Sequence, residues 1–233
     1  MAQTQVLTGL DTRQAVEEAF EKTLQSVGLT RNAIGRVVVT GVGKKEFPFE
    51  HTEVSDVKAD ARGVIFLYPP ARTVIDVGAE EGRGIKCSPA GKVIDFTLNE
   101  KCAAGSGSFT ESMARALEVP VEELGGLSRR STQAIPMNAQ CAVFAESEVV
   151  SLLHAKTSKP DIARAVHEAI ASRISSMVRK IGIEKEVALI GGVAKNAGFV
   201  DALGADLGLE IFVPPEPEFV AALGAALIAE EES

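Results

Sequence analysis

The sequence predicts an α/β fold with a partly parallel sheet. Short apolar runs that are typical of buried strands alternate with longer segments of helical spacing, and this alternation indicates parallel strands joined by helices. Most of the predicted helices fall in the second half of the chain, whereas the middle holds three short strands separated by turn residues. The dipeptides Gly191-Gly192 and Pro214-Pro215 separate elements in the second half.

Apolar residues at helical spacing predict eight helices. The first follows Asp11, a residue type that caps helix N-termini, and stops at Gly28, since glycine commonly ends a helix. Pro69 and Pro70 stop the second, because proline removes a backbone donor. The predicted helices span residues 12–27, 57–67, 109–117, 121–127, 142–153, 161–181, 196–203 and 220–229.

Short runs of β-branched and aliphatic residues predict six strands. Three of them, in the middle of the chain, are joined by turns at 80–82 and 89–91 and therefore predict an antiparallel meander. A later strand runs directly into Gly191-Gly192 and a helix, as in a parallel strand–turn–helix unit. The predicted strands span residues 37–39, 74–78, 84–87, 93–96, 187–190 and 211–213.

Composition and charge exclude several classes of function. The 233 residues are 45% apolar and 24% charged, which is ordinary for a globular protein with a sizeable core. A net charge of −8 leaves no basic stripe for nucleic acid. No run approaches the roughly 18 apolar residues that span a bilayer. The N-terminal residues lack a secretory signal, and the three cysteines lack close spacing. We therefore predict a cytoplasmic protein that binds neither nucleic acid nor membranes.

The first candidate site residue is Asp76, which stands at the end of a predicted strand and two positions before Gly78. An aspartate in this place can approach a phosphate or its Mg²⁺ closely, because glycine adds no side chain there. Since Asp-x-Gly is also a common turn, a purely structural role explains the motif equally well.

Two cysteines each precede a predicted helix. Cys102 opens a glycine- and serine-rich loop that contains Gly105 and Gly107, whose backbone N–H groups at a helix N-terminus suit a phosphate. Cys141 precedes the helix at 142–153 and is 39 positions from Cys102, so no local metal motif applies. Two thiolates from each subunit of a symmetric dimer would complete a [4Fe–4S] cluster, and inert core cysteines are the alternative.

The glycine pair Gly191-Gly192 follows the strand at 187–190 and precedes a helix. Such a pair lets a planar base or a ribose lie against the backbone. The segment lacks the spacing of a dinucleotide-binding turn, so a dinucleotide fold is not supported. The last helix is rich in alanine and glycine, a composition that suits close packing against another helix.

Four segments together resemble the BadF/BadG/BcrA/BcrD ATPase family. This family contains the activators of 2-hydroxyacyl-CoA dehydratases and the ATPase subunits of benzoyl-CoA reductase. The resemblance covers about residues 11–229, and the two cysteine motifs are its most specific part. The four segments are NEKCAAGSG at 99–107, CAVFAESEV at 141–149, GGVAKN at 191–196 and ALGAAL at 222–227.

The resemblance implies two RNase H-like lobes of the acetate kinase/Hsp70/actin superfold, with ATP in the cleft between them. It implies a partial N-terminal lobe over residues 1–70, a C-terminal lobe over 71–218, and a C-terminal helix over 219–233 that packs back between the lobes. It also implies that Cys102 and Cys141 are this subunit's ligands to a [4Fe–4S] cluster, shared across a homo- or heterodimer with a related ATPase subunit.

The resemblance further implies that ATP or ADP binds with Mg²⁺. Asp76, as the catalytic residue, and Gly78 would form the second phosphate motif, and Gly191, Gly192 and Asn196 would hold the adenosine. Members of the family use ATP to pass low-potential electrons onward. The implied partners are a ferredoxin-type electron donor and a CoA-ester reductase or dehydratase component.

Two departures from the family pattern refine these expectations. Residues 76–83 read Asp-Val-Gly-Ala-Glu-Glu-Gly-Arg where activators usually have Asp-x-Gly-Gly-Gln-Asp, which favours a benzoyl-CoA reductase type. The family's first phosphate hairpin is absent, so the chain begins near the expected third strand at 5–8. We therefore expect a truncated start with Met1 internal to a longer frame, an incomplete first lobe, reduced stability and weak ATP binding. Two alternatives stay open: a non-hydrolysing partner of a catalytic paralogue, and a kinase-like member of the superfold without a cluster.

Overall fold

A five-stranded mixed sheet organises most of the chain. The computed structural model describes residues 1–99, 105–137 and 141–232. Within them, the strands are β1 (Val38–Val39), β2 (Thr52–Glu53), β3 (Thr73–Val77), β4 (Gly82–Cys87), β5 (Val93–Asn99), β6 (Val187–Ile190) and β7 (Ile211–Phe212). The helices are α1 (Thr12–Ser26), α2 (Asp56–Leu67), α3 (Gly107–Ala116), α4 (Val121–Ser128), α5 (Ala142–His154), α6 (Lys159–Val178), α7 (Ala197–Leu207) and α8 (Val220–Glu231).

The structure contains the helices and strands that periodicity and turn residues predict, with ends that differ by a few residues. β3, β4 and β5 form the predicted antiparallel meander, and β6 and β7 continue the sheet from β3 in parallel. The expected strand at residues 5–8 is wrong, because this segment has no regular secondary structure. A strand needs a hydrogen-bonded neighbour, and the small second sheet consists of β1 and β2.

Helices cover both faces of the five-stranded sheet. On one face, Ile75, Val77 and Leu189 pack with buried residues of α3, α4 and α6. On the other face, Val74 and Ile85 pack with α2 and the start of α8. The central strand β3 is therefore buried at all five positions, as expected of a strand enclosed on both sides. Every helix of the described ranges is too short or too polar to cross a membrane.

A similar order of elements occurs twice in the chain. β1, a glycine turn, β2 and α2 are followed much later by β6, a glycine turn, β7 and α8, and the second segment has the additional helix α7 before β7. Both strand pairs are parallel. The two turn glycines also share one conformation, with φ 86° and ψ 176° at Gly41 and φ 86° and ψ 171° at Gly191. An internal repeat of this kind is expected of a two-lobed superfold.

The helices that end the two repeats pack against each other through glycine. A Cβ at Gly63 would overlap the carbonyl oxygen of Val220, and one at Gly224 would overlap that of Ala59. This contact confirms the close helix packing predicted for the last helix. α8 also packs against Val38 of β1, whereas α2 covers β3 and β4. The division at residues 70 and 218 stays a prediction.

Gly224→Ala should lower the free energy of unfolding by about 3 kcal/mol, because the added methyl group would force α2 and α8 apart. Gly126→Ala on α4 is the matched control, since a Cβ there meets nothing within 4 Å. The free energy of unfolding of the control variant should rise by roughly 0.5–1 kcal/mol, because alanine has a higher helix propensity than glycine. Urea denaturation measures both, and a Gly224→Ala variant as stable as wild type would contradict the close crossing.

Candidate functional site

Asp76 lies near the carboxyl end of the central strand β3, and its side chain is 8% exposed. The chain turns directly after it, and the turn is closed by the N–H of Gly78, which donates to the Glu81 carbonyl at 2.9 Å. The predicted site residues Asp76 and Gly78 therefore share one turn at the edge of the sheet where β3 and β6 end.

The glycine turn after β6 lies against Asp76. Gly191 has a positive φ, and a Cβ there would overlap the Asp76 carboxylate and the carbonyl of Val77. Its N–H donates to the Pro217 carbonyl at 3.0 Å. A Cβ at Gly192, in contrast, would meet nothing within 4 Å. The turn thus packs tightly on Asp76 on one side and borders open space on the other.

The N-terminus of α3 contacts the turn after β3. The N–H of Gly107 donates to the Gly78 carbonyl at 2.8 Å, and the N–H of Ser108 donates to the Ala79 carbonyl at 2.8 Å. Gly107 also lies close to Val193 in the turn after β6. The structure brings these predicted residues together, although the amide of Gly107 contacts protein rather than open space.

Asn196 and Gly105 lie next to this arrangement. The Asn196 side chain caps α7 by accepting from the N–H groups of Gly198 and Phe199 at 3.1 and 3.2 Å. A Cβ at Gly82 would approach the Gly105 carbonyl to 3.0 Å, so Gly105 lies beside β4. The predicted roles of Asn196 and Gly105 in nucleotide binding stay predictions.

Of the two predicted cluster ligands, Cys102 lies outside the described residues. Cys141 is half-buried and occupies the N-cap position of α5 with extended backbone geometry. Exposed Val143 and Phe144 follow it on the helix, with 69% and 72% of their surface accessible. Within the described ranges, no three His, Cys, Asp or Glu residues are grouped to hold a metal. Cys141 therefore lacks a complete set of metal ligands among the described residues of one chain, and the predicted cluster requires thiolates from a second subunit.

Arg83 on β4 joins three carboxylates beside the predicted site. It donates to Asp76 at 2.5 Å and to Glu81 at 2.7 Å, and it forms an ion pair with Asp56 at 3.7 Å. Asp56, the first residue of α2, also accepts the N–H of Gly41 at 2.5 Å. Asp56 therefore connects the turn at Gly41 to the ion pairs that Arg83 forms beside Asp76.

Asp60 lies one helical turn after Asp56 and is fully buried. Neither of its carboxylate oxygens has a hydrogen-bond partner among the described residues. Burial raises the pKa of Asp60 well above its usual range, the charge of Asp76 adds to this, and Arg83 opposes it. Burial also raises the pKa of Asp76, against the opposing effect of Arg83. The protonated form of Asp60 is thereby favoured.

Sequence reasoning missed Asp56, Asp60 and the role of Arg83. Arg83 is part of the unusual motif after Asp76, but a sequence does not show which carboxylates a side chain meets. One feature of the sequence could have indicated these residues: Asp60 stands between Ala59 and Ala61 on the apolar face of a predicted helix. A charged residue on a buried helix face needs a partner or a shifted pKa.

The model of the BadF/BadG/BcrA/BcrD ATPase family matches residues 2–229 of this chain. A 2-hydroxyisocaproyl-CoA dehydratase activator from Clostridioides difficile is 41% identical over 92% of the chain and 80% of its own length. One of the subunits of benzoyl-CoA reductase from Thauera aromatica is 31% identical over 93% of the chain and 79% of its own length.

Solved structures are similar over almost the whole chain. The 2-hydroxyisocaproyl-CoA dehydratase activator from Clostridium difficile, determined with bound ADPNP, has a TM-score of 0.89 and 39% identity, and the match covers 98% of this chain and 83% of that one. Component A of (R)-2-hydroxyglutaryl-CoA dehydratase from Acidaminococcus fermentans has a TM-score of 0.94 and 35% identity, with 97% and 87% covered. The predicted α/β fold of the acetate kinase/Hsp70/actin superfold is thus confirmed.

Asp60→Asn should stabilise the protein increasingly as the pH rises. The pKa of Asp60 in the folded state is raised above its ordinary value of 3.8, so the folded chain holds a proton that the unfolded chain releases. The contribution of Asp60 to wild-type stability therefore falls above about pH 4, by up to ~1.4 kcal/mol per pH unit. Asparagine mimics the protonated acid and does not titrate.

The measurement is the free energy of unfolding of both proteins between about pH 5 and 7, the window that begins above the unfolded pKa. Glu210→Gln, at an exposed position just before β7, controls for the general loss of a negative charge. A difference between Asp60→Asn and wild type that stays constant over this window would refute the raised pKa.

Proposed function

The chain belongs to the BadF/BadG/BcrA/BcrD ATPase family, and on that basis we propose that it is an ATP-dependent electron-transfer subunit. It binds and hydrolyses ATP with Mg²⁺ and passes low-potential electrons from a shared [4Fe–4S] cluster to a CoA-ester dehydratase or reductase. The family match over residues 2–229 is the observation that carries this proposal.

The two turns after β3 and β6, together with the N-terminus of α3, support nucleotide binding beside Asp76. A carboxylate at the end of β3 is a suitable ligand for the Mg²⁺ that accompanies phosphates. Gly78 and Gly191 keep side chains away from it, and the open space beside Gly192 suits the adenosine. The ADPNP bound to the Clostridium difficile structure supports the same assignment.

The position of Cys141 supports a cluster shared between two subunits. Asn99 stands shortly before Cys102 in the sequence, and Met137 stands shortly before Cys141. Asn99 and Met137 line the same cavity, which has a volume of about 870 Å³. Exposed Phe144, next to this helix start, offers an apolar contact for a second subunit. Two thiolates from each of two chains supply the four ligands of the cluster.

We infer that the electron acceptor is a 2-hydroxyacyl-CoA dehydratase. Identity over nearly the same length is 41% to a dehydratase activator and 31% to a benzoyl-CoA reductase component. The motif at residues 76–83 favours the reductase type, but it spans eight positions only. A ferredoxin-type donor and a homo- or heterodimer belong to the same proposal.

Asp76→Asn should reduce ATP hydrolysis by about 100-fold, because the amide cannot replace the carboxylate toward Mg²⁺ and its phosphates. Phosphate release is measured under anaerobic conditions, with Asp201→Asn on α7 as a surface control of equal charge change. Wild-type rates in Asp76→Asn would contradict the catalytic assignment. A wild-type chain that binds ATP without hydrolysing it would favour the non-hydrolysing partner subunit.

Protein purified without oxygen should contain about two irons per chain and have the mass of a dimer. Cys102→Ser and Cys141→Ser should each lose the iron, the sulfide and the visible absorption of the cluster. Cys87→Ser is the control, since Cys87 is buried on β4 beside the carbonyls of Ala71 and Arg72. An iron-free monomer after reconstitution would favour the kinase-like alternative without a cluster.

A further inference from the structure

Arg83 is held by carboxylates from three separate parts of the chain. Its side chain is 13% exposed and contacts Asp76 on β3, Glu81 in the following turn and Asp56 on α2. Its contacts therefore span the sheet and the helix that covers it. An arginine fork is well suited to such a bridge, because its donors are rigid and delocalised.

More carboxyl groups than guanidinium groups lie around Arg83. Asp60, the fourth carboxyl group, is buried, and neither of its oxygens has a hydrogen-bond partner in the described part of the chain. The protonated form of Asp60 is favoured, but Asp56, Asp76 and Glu81 still share one guanidinium, so this group is short of positive charge. An additional cation is thus expected here in some state of the protein, and the Mg²⁺ that accompanies a nucleotide is such a cation.

The phosphates of a nucleotide compete with these carboxylates for the guanidinium. They carry more negative charge than a single carboxylate and accept two parallel hydrogen bonds from arginine. At the same time, Mg²⁺ next to Asp76 removes the charge that holds Arg83 there. Both effects act in the same direction and favour release of Arg83 from β3 and α2.

We propose, on the basis of the proposed function, that Arg83 is a latch that magnesium-bound ATP opens. In the structure the guanidinium contacts both Asp56 and Asp76. With ATP bound, it turns to the phosphates, and Asp56 keeps the Gly41 amide as its partner. Arg83 thus binds the nucleotide and connects it to the N-terminus of α2.

A double-mutant cycle tests the latch. Arg83→Gln, Asp56→Asn and the double variant are compared with wild type by calorimetric titration with Mg²⁺ and a non-hydrolysable ATP analogue or ADP. Asparagine at position 56 still accepts the Gly41 amide, so that turn is preserved. Arg129→Gln is the matched control, because Arg129 pairs with Asp201 at 2.6 Å on the surface.

Arg83→Gln should weaken binding of the ATP analogue by about 10- to 100-fold, the effect of a charge-assisted hydrogen bond to phosphate. Asp56→Asn should tighten binding several-fold in the wild-type background and have no such effect when Arg83 is absent. Arg83→Lys should be intermediate, since it keeps the charge without the fork. Circular dichroism verifies that each variant is folded.

An equal effect of Asp56→Asn in both backgrounds would overturn the latch while leaving the proposed function intact. A wild-type chain that binds neither nucleotide would overturn both. Hydrogen exchange gives a second measurement that does not depend on affinity. The first turn of α2 should exchange faster in nucleotide-free Arg83→Gln and in wild type with the ATP analogue, and unchanged exchange in both would also overturn the latch.

Discussion

The contact between the backbones of α2 and α8 is the constraint on which the arrangement of the two repeats depends. Each helix follows the second strand of its own repeat, yet α2 covers β3 and β4 of the large sheet, and α8 packs against Val38 of β1. Gly63 and Gly224 allow each helix to pack on the strands of the other repeat, because a side chain at either position would overlap the other helix. Asp56 stands at the start of α2, so the same crossing determines where its carboxylate meets the large sheet.

Because Asp60 and Asp76 are buried close to Arg83, the charges of these three groups affect one another's pKa. Arg83 offsets part of the cost of burying Asp76, and it also opposes the raised pKa of Asp60. Asp56 accepts the amide of the first glycine turn, while the Pro217 carbonyl accepts the corresponding amide of the second. The two turns have the same backbone geometry, but only the first uses a charged acceptor. The two turns therefore share a backbone conformation and differ in their electrostatics.

Local pattern was sufficient for most of the fold but for only part of the site. The long helices and the apolar strands β3 and β6 follow from periodicity, and Asp76 meets Gly191 because adjacent parallel strands end at the same edge. β2 has two exposed polar residues and no pattern, and it is a strand only through its pairing with β1. The contacts of Asp56 and Asp60 depend on how α2 lies across the sheet, and no spacing along the chain encodes that.

The proposed electron transfer requires a connection between the nucleotide and Cys141, and the described contacts contain one. The turn after Asp76 holds the first amides of α3 through the carbonyls of Gly78 and Ala79. α3 packs against α5 in the main core, and Cys141 is the N-cap of α5. Two backbone hydrogen bonds thus tie the N-terminus of α3 to this turn, and close-packed interiors transmit strain between such elements. The amide of Gly107, which sequence reasoning assigned to phosphate, donates instead to the turn after Asp76, and it couples this turn to the helix that packs on α5 and the proposed ligand Cys141.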